Sequence, residues 1–266
     1  MGRIFCFGCS FTGYWYPTWA DILIEEANIR GIEGYNFGKS GAGNVYIALR
    51  LWEAHAKFKF TPDDHILICW SGWNREDRWV TGRGWITPGN LAHQNNDYEK
   101  WFVEKYHDVR FCAMRDCAII SSTQLALKQL GVTSVQFSMA PLIQNNEYLA
   151  FQTFSEQQDI IETYNIKLDA PPMMEYIDTL DQTEAKAATR IKIKYTDWKP
   201  ITEWHPLPTE HLDYVNEYLK DKVAWLDSIT AGQQLATSWT EKLTSYKEGA
   251  PIDQLGWVSK TPKDLW

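Results

Sequence analysis

The chain reads as an α/β protein, a three-layer α/β/α arrangement around a mostly parallel five-stranded sheet. Three observations predict this. Short apolar runs alternate with stretches whose apolar residues recur at helical spacing. The most apolar run, HILICW at 65–70, is bulky throughout, as a strand buried on both faces requires. The apolar runs end at Gly, Ser or Pro, the residues that let a strand turn out of a sheet.

The elements follow in order. Residues 3–8 (RIFCFG) form the first strand, which leads through a turn into a helix over 18–28. A second strand at 33–37 runs into the glycine-rich GKSGAGN of 38–44 and a helix over 45–57. Residues 65–70 are the third strand, ending at Ser71 and Gly72. From 75 to 107 the chain is polar, aromatic and without clear periodicity, which predicts a lid-like insertion over the strand ends. A helix over 109–131 stops at Gly131, and TSVQFSM at 133–139 is the fourth strand. A helix over 155–165 follows, then loop and helix in 166–189. Residues 190–195, where Arg and Lys alternate with Ile, form the fifth strand with one wet face. The helix over 209–221 is capped by Thr209 behind Pro208, with Leu212, Val215, Tyr218 and Leu219 on one face. Residues 1–230 are expected to form one domain, and 231–266 a C-terminal extension.

Composition narrows the function. The 266 residues are 44% hydrophobic, enough to bury a sizeable core. A net charge of −8 leaves no contiguous basic face, which excludes a protein that lives on nucleic-acid phosphates or anionic lipid. No run of eighteen apolar residues occurs, and the N-terminus passes straight into a core strand, so a soluble, unprocessed cytoplasmic protein is expected. Five cysteines, an odd number, read as reduced thiols. Cys6 and Cys9 are spaced C-x-x-C but lack a second close pair, and His205, Glu210 and His211 divide between a loop and a helix, so neither metal nor cofactor is expected. The glycine-rich run fails as a phosphate loop because Asn44 and Val45 stand where Lys and Ser or Thr are needed. His55, His65, His93 and His107 stand alone, and surface or satisfied positions are their default.

Four strand exits carry the chemistry. Gly8-Cys9-Ser10-Phe11-Thr12 sets a hydroxyl after the first strand, and the second exit is glycine-rich, its N–H groups free to face an anion. Gly72-Trp73-Asn74 puts an amide after the third strand, and Glu203-Trp204-His205-Pro206 sets a carboxylate and an imidazole ahead of the capped helix. Acyl transfer needs these parts: a nucleophile, a base, an acid to orient the base, and donors for an oxyanion.

The ordered set resembles the SGNH (GDSL-type) hydrolases, whose four blocks contribute Ser, Gly, Asn and His. The matching stretches are GCSFT at 8–12, NFGKSG at 36–41, GWN at 72–74 and EWHP at 203–206, within a span of roughly 3–221. The resemblance implies a flavodoxin-like fold and a serine esterase or acylhydrolase, for instance a carbohydrate O-deacetylase acting on a small-molecule or carbohydrate ester. Ser10 would be the nucleophile and His205 the base. The oxyanion hole would comprise the Ser10 and Gly41 N–H groups and the Asn74 side chain. Trp73, Arg75 and Trp204 are the candidates for substrate contact; the plainer reading of Arg75-Glu76-Asp77-Arg78 is a salt-bridged loop, although Arg75 or Arg78 could bind a substrate anion. The 14 tryptophans are mostly core by default, yet Trp15, Trp19, Trp70, Trp79 and Trp85 also fall near these loops.

Two departures stand out. Cys9 replaces the usual Asp of the serine block, and the usual acid position, three residues before the histidine, holds Thr202. Glu203, Asp197 or a dyad leaning on backbone carbonyls could serve instead. The alternative function is a binding or structural module of the same fold, such as a virion or surface component that holds a polysaccharide without cleaving it. The short Trp-rich chain and its GCSFT start are similar to members encoded by tailed phages. The oligomeric state stays open.

Overall fold

The structure is a computed structural model that describes residues 2–73, 75–91, 98–142, 154–177, 183–195 and 198–259. In chain order the elements are β1 (Ile4–Gly8), α1 (Trp19–Ile29), β2 (Gly34–Asn36), α2 (Asn44–Phe58), β3 (His65–Trp70), β4 (Arg78–Val80), β5 (Gly84–Ile86), α3 (Lys100–Tyr106), α4 (Val109–Leu130) and β6 (Thr133–Ser138). Then come α5 (Phe154–Thr163), α6 (Met173–Tyr176), α7 (Glu184–Ala187), β7 (Lys192–Lys194), β8 (Ile201–Thr202), α8 (Pro208–Tyr214), α9 (Ala231–Thr244) and β9 (Ala250–Pro251).

The central sheet has four parallel strands in the order β2-β1-β3-β6. Its two inner strands are apolar because both faces are covered. On β1, Phe5 and Phe7 meet Phe37, and Phe5 also meets Phe58 at the end of α2. Ile4 points the other way, toward the site where Ile24 of α1 closes on Gly34. Trp19 of α1 and Tyr214 of α8 both pack on Phe137 of β6. The helices α1, α8 and α9 form one packed group, while α2 lies against α4.

The expected five-stranded sheet is not what forms. The segment at 190–195 does yield a strand, β7, but it lies in a separate three-stranded sheet ordered β8-β7-β9. The reason is in its side chains. A fifth parallel strand would be buried on both faces, whereas Lys192 is exposed and Ile193 buried, an alternation that suits a sheet with one wet face. Ile193 joins a small second core with Tyr16, Leu243, Ala250, Ile252 and Leu255. A third sheet is the antiparallel hairpin β4-β5, which with α3 gives order to part of the insertion that showed no periodicity.

The helix expected to be capped by Thr209 starts instead at Pro208, with Leu207 as its N-cap, and beyond Tyr214 it widens into a π-helical turn at Val215–Leu219 and tightens at Lys220–Lys222. The segment from 231 packs on the rest: Gly232 sits against Ile22, and the Glu26 carboxylate accepts from the Thr230 and Gly232 N–H groups at 2.8 and 3.1 Å. No described helix is long and apolar enough to cross a membrane.

Candidate active site

The chain leaves β1 through a tight turn, with the Thr12 and Gly13 N–H groups donating to the Cys9 carbonyl at 2.9 and 3.0 Å. Gly8 must be glycine here, since a β-carbon would lie 2.0 Å from the Thr12 hydroxyl. The turn packs backbone to backbone on the glycine-rich loop: a β-carbon at Gly38 would lie 2.3 Å from the Gly13 nitrogen. Buried Asn36 locks the two together, its amide donating to the Thr12 carbonyl at 2.7 Å and to Asp21 at 3.1 Å while its oxygen accepts from the Gly38 N–H at 2.8 Å.

Ser10, 6% exposed, sits on this rigid turn, and its Oγ lies 2.9 Å from His205 Nε2. His205 Nδ1 lies 2.8 Å from Glu203 Oε1, which also accepts from the His205 backbone N–H at 2.8 Å. The structure thus brings together a hydroxyl, an imidazole and a carboxylate from segments 195 residues apart. With Glu203 as acceptor, Nδ1 carries the proton and Nε2 is left to accept from Ser10. Burial pushes the Glu203 carboxyl up, but the His205 ring and N–H and the Tyr14 hydroxyl together outweigh it and hold the group below its ordinary range.

Tyr14 went unread in the sequence. Its hydroxyl donates to Glu203 Oε2 at 3.0 Å, and its ring stacks on His205 with centroids 4.0 Å apart. Burial, then the Glu203 charge, push its phenol well up, so it remains a donor. Its neighbour Tyr16, fully buried, anchors the same turn in the second core. Arg190, read as part of a strand, is a clamp: it donates to the Glu203 and His205 carbonyls at 3.0 and 2.7 Å and pairs with Glu210 at 2.7 Å. The available signal for both was proximity in sequence, Tyr14 to Ser10 and Arg190 to the start of β7, which pairs with the strand that leads into the histidine loop.

The glycine-rich loop behaves differently from its expectation. The N–H groups of Gly43 and Tyr46, at the start of α2, donate to the buried carboxylate of Asp77 at 2.9 to 3.0 Å, so the anion they face is the chain's own. Burial raises the Asp77 carboxyl, against the pull of those donors. Asn44 is equally structural, joining Ser71 to Asp116 of α4. Gly41 has φ +76°, and a β-carbon there would lie 2.1 Å from the Thr87 carbonyl of the insertion. Neither the Ser10 nor the Gly41 N–H donates to a described group.

The remaining candidates divide. Asn74 and Asp197 lie outside the described residues. Trp73 is 2% exposed and its indole N–H donates to the Leu142 carbonyl at 2.6 Å, so its ring is core. Trp204 is half-buried beside the histidine, and Arg75 is half-buried with its guanidinium on the Ala42 carbonyl at 2.7 Å. Glu76 pairs with Arg78 and Arg115, as a salt-bridged loop would. Cys9 is buried with its thiol 3.3 Å from the Met139 sulfur. Among the described residues no group of three or more His, Cys, Asp or Glu could hold a metal.

No family model and no curated protein matches the chain. Among solved structures it is similar to a GDSL-like lipase from Bacteroides thetaiotaomicron VPI-5482, at 16% identity and a TM-score of 0.42 over 84% of this chain and 88% of that one. It is also similar to LAE5, an α/β hydrolase enzyme from the metagenome of Lake Arreo, Spain, at 12% identity and a TM-score of 0.45 over 85% and 97%. A catalytic mutant of an acetylxylan esterase from Geobacillus stearothermophilus gives 14% identity and a TM-score of 0.43 over 86% and 99%. Likenesses this distant decide nothing about chemistry, which has to be read from the site.

Proposed function

We propose that the chain is a serine esterase or acylhydrolase of SGNH type. The observation that supports it is the contact series Ser10 Oγ, His205 and Glu203 at 2.9 and 2.8 Å. His205 Nε2 takes the Ser10 proton as Oγ attacks the ester carbonyl, and the charge that develops on the carbonyl oxygen is met by the Ser10 and Gly41 N–H groups and the Asn74 amide. Collapse of the tetrahedral adduct expels the alcohol, which takes the proton from His205 and leaves an acyl-Ser10. A water, deprotonated by His205, then releases the acid and restores the serine. Glu203 keeps the imidazole in the tautomer this cycle needs and stabilises it when protonated.

A carbohydrate ester is the finer form of the reading. Trp15 and Trp79, 40% and 55% exposed, offer ring faces on which a sugar could stack. Trp15 neighbours Tyr14, and the β4-β5 hairpin that carries Trp79 continues to Thr87, whose hydroxyl donates to the Ser40 carbonyl in the glycine-rich loop at 2.9 Å.

Hydrolysis of p-nitrophenyl acetate tests the proposal. Ser10→Ala and His205→Ala should each lower kcat by about a thousandfold or more. Equal rates in wild type and both variants would overturn it and leave a binding module.

A further inference from the structure

Six arginines are partly buried among the described residues: Arg3, Arg30, Arg50, Arg75, Arg115 and Arg190. Five of them face a carboxylate, Arg3 on Asp64, Arg30 on Glu26, Arg50 on Glu53, Arg115 on Glu76 and Asp116, and Arg190 on Glu210. Arg75 does not. Its Nη1 donates to the Ala42 carbonyl at 2.7 Å and its Nη2 lies 3.7 Å from the Met139 sulfur, with no described carboxylate oxygen within ion-pair distance. The acids nearby are occupied: Asp77 by the start of α2, Glu76 by Arg78 and Arg115, Asp116 by Arg115 and Asn44. The Asp77 charge reaches Arg75 only through space, without a direct ion pair; a guanidinium partly withdrawn from water gains from a direct counter-ion, and its fork of N–H donors fits a carboxylate.

Its position gives that charge a use. The Met139 sulfur beside it also touches the Cys9 thiol at 3.3 Å and the Ser71 hydroxyl at 3.9 Å. Cys9 directly precedes Ser10, Ala42 directly follows Gly41, and Ser71 and Met139 directly follow β3 and β6. The guanidinium therefore lies beside the carboxyl ends of β1, β3 and β6 and the loop that follows β2, on the rim that carries Ser10.

We propose that Arg75 is an anion subsite of the Ser10 site, and that the substrate is an ester carrying a carboxylate. This rests on the esterase reading above. The carboxylate docks on the N–H donors of Arg75 that no described oxygen takes while the ester carbonyl reaches Ser10, so binding energy from a non-reacting group orients the reacting one.

Two experiments keep this proposal separable from the esterase reading. In the first, succinate and the neutral succinamide are titrated calorimetrically into Ser10→Ala protein, which cannot turn over. Succinate should bind and succinamide should not. Adding Arg75→Gln should weaken succinate at least tenfold, and adding Arg75→Lys should weaken it less, with melting temperatures confirming that each variant is folded. Absence of succinate binding, or equal binding with and without Arg75, overturns the subsite whatever the hydrolytic activity. In the second, wild type and Arg75→Gln are compared on p-nitrophenyl hemisuccinate and p-nitrophenyl acetate for an acyl-side anion, and on 3-acetoxybenzoate and its methyl ester for an alcohol-side anion. In one pair the ratio of kcat/KM, charged over neutral, should fall about tenfold on substitution. Charged and neutral substrates losing rate equally in both pairs would mean that Arg75 serves the oxyanion or the fold and would overturn the assignment.

Discussion

The two halves of the candidate site come from sheets of different kinds. Ser10 leaves β1, an inner strand of the parallel sheet, whose residues Ile4, Phe5, Cys6 and Phe7 are all fully buried. Glu203 and His205 leave β8, a two-residue edge strand of the small sheet, where Ile201 is 46% exposed. Ser10 thus follows a strand set in apolar packing that is cooperative and extends across the core, and its turn is fastened by Asn36. Glu203 and His205 are held by polar contacts that can be counted: Arg190 on two carbonyls, Tyr14 on the carboxylate, Glu203 on the His205 N–H. Damage to the first half should appear as lost stability, and damage to the second as lost rate.

The largest effect that sharpens this contrast is at the acid. Glu203→Gln keeps the shape but offers His205 a wrong or weaker partner, so kcat on p-nitrophenyl acetate should fall by about 10² to 10⁴. A loss under threefold would show that the site runs as a Ser–His dyad.

Next comes a pair of variants. Phe7→Ala removes a ring stacked on Phe37 at 5.0 Å and should cost about 3–5 kcal/mol of unfolding free energy by denaturant titration. Arg190→Met frees the carbonyls of the histidine loop and should lower kcat about tenfold or more, while costing less stability than Phe7→Ala. If Arg190→Met destabilised the whole chain as much as Phe7→Ala, the distinction between a packed and a clamped half would fail.

A third prediction concerns pH. Burial, followed by the His205 charge, lowers the His211 imidazole to about 3 from an ordinary 6.5. The unfolded chain therefore binds a proton below pH 6.5 that the folded chain refuses. The stability linked to His211 is complete above 6.5 and is lost as pH falls from 6.5 toward 3, at up to about 1.4 kcal/mol per pH unit. His211→Gln should abolish that slope. Unfolding free energies of the two proteins between pH 4.5 and 7 that stay parallel would count against a buried neutral imidazole.

The smallest effect is expected at Tyr14. Tyr14→Phe keeps the ring on His205 and removes one hydrogen bond to Glu203, so kcat should fall about three- to tenfold. An unchanged rate would make the phenol a packing group alone.

Much of the main sheet was legible beforehand because burial on both faces favours an unbroken apolar run, as ILICW at 66–70 shows. The strand at 190–195 was legible as a strand but was assigned to the wrong sheet. Its alternation says that one face is wet and does not say which sheet it joins. The hairpin at 78–86 was missed because three-residue strands carry too few positions for a period to show. In the site, the residue types at Ser10, Glu203 and His205 were readable because each closes a strand exit. Arg190 and Tyr14 were not, since a clamp on backbone carbonyls or a carboxylate leaves no spacing of its own in the chain.

The sequence by itself determined the alternation of strands and helices, the apolar centre of the sheet and the chemical types at its exits, because burial and turn chemistry act locally on residue choice. Only the tertiary structure decided that the fifth strand would build a second sheet, that Asp77 would occupy the N–H groups of the glycine-rich loop, and that Ser10 would meet His205. Each of those depends on which distant segments share one volume. That choice is made by packing and charge balance across the whole molecule.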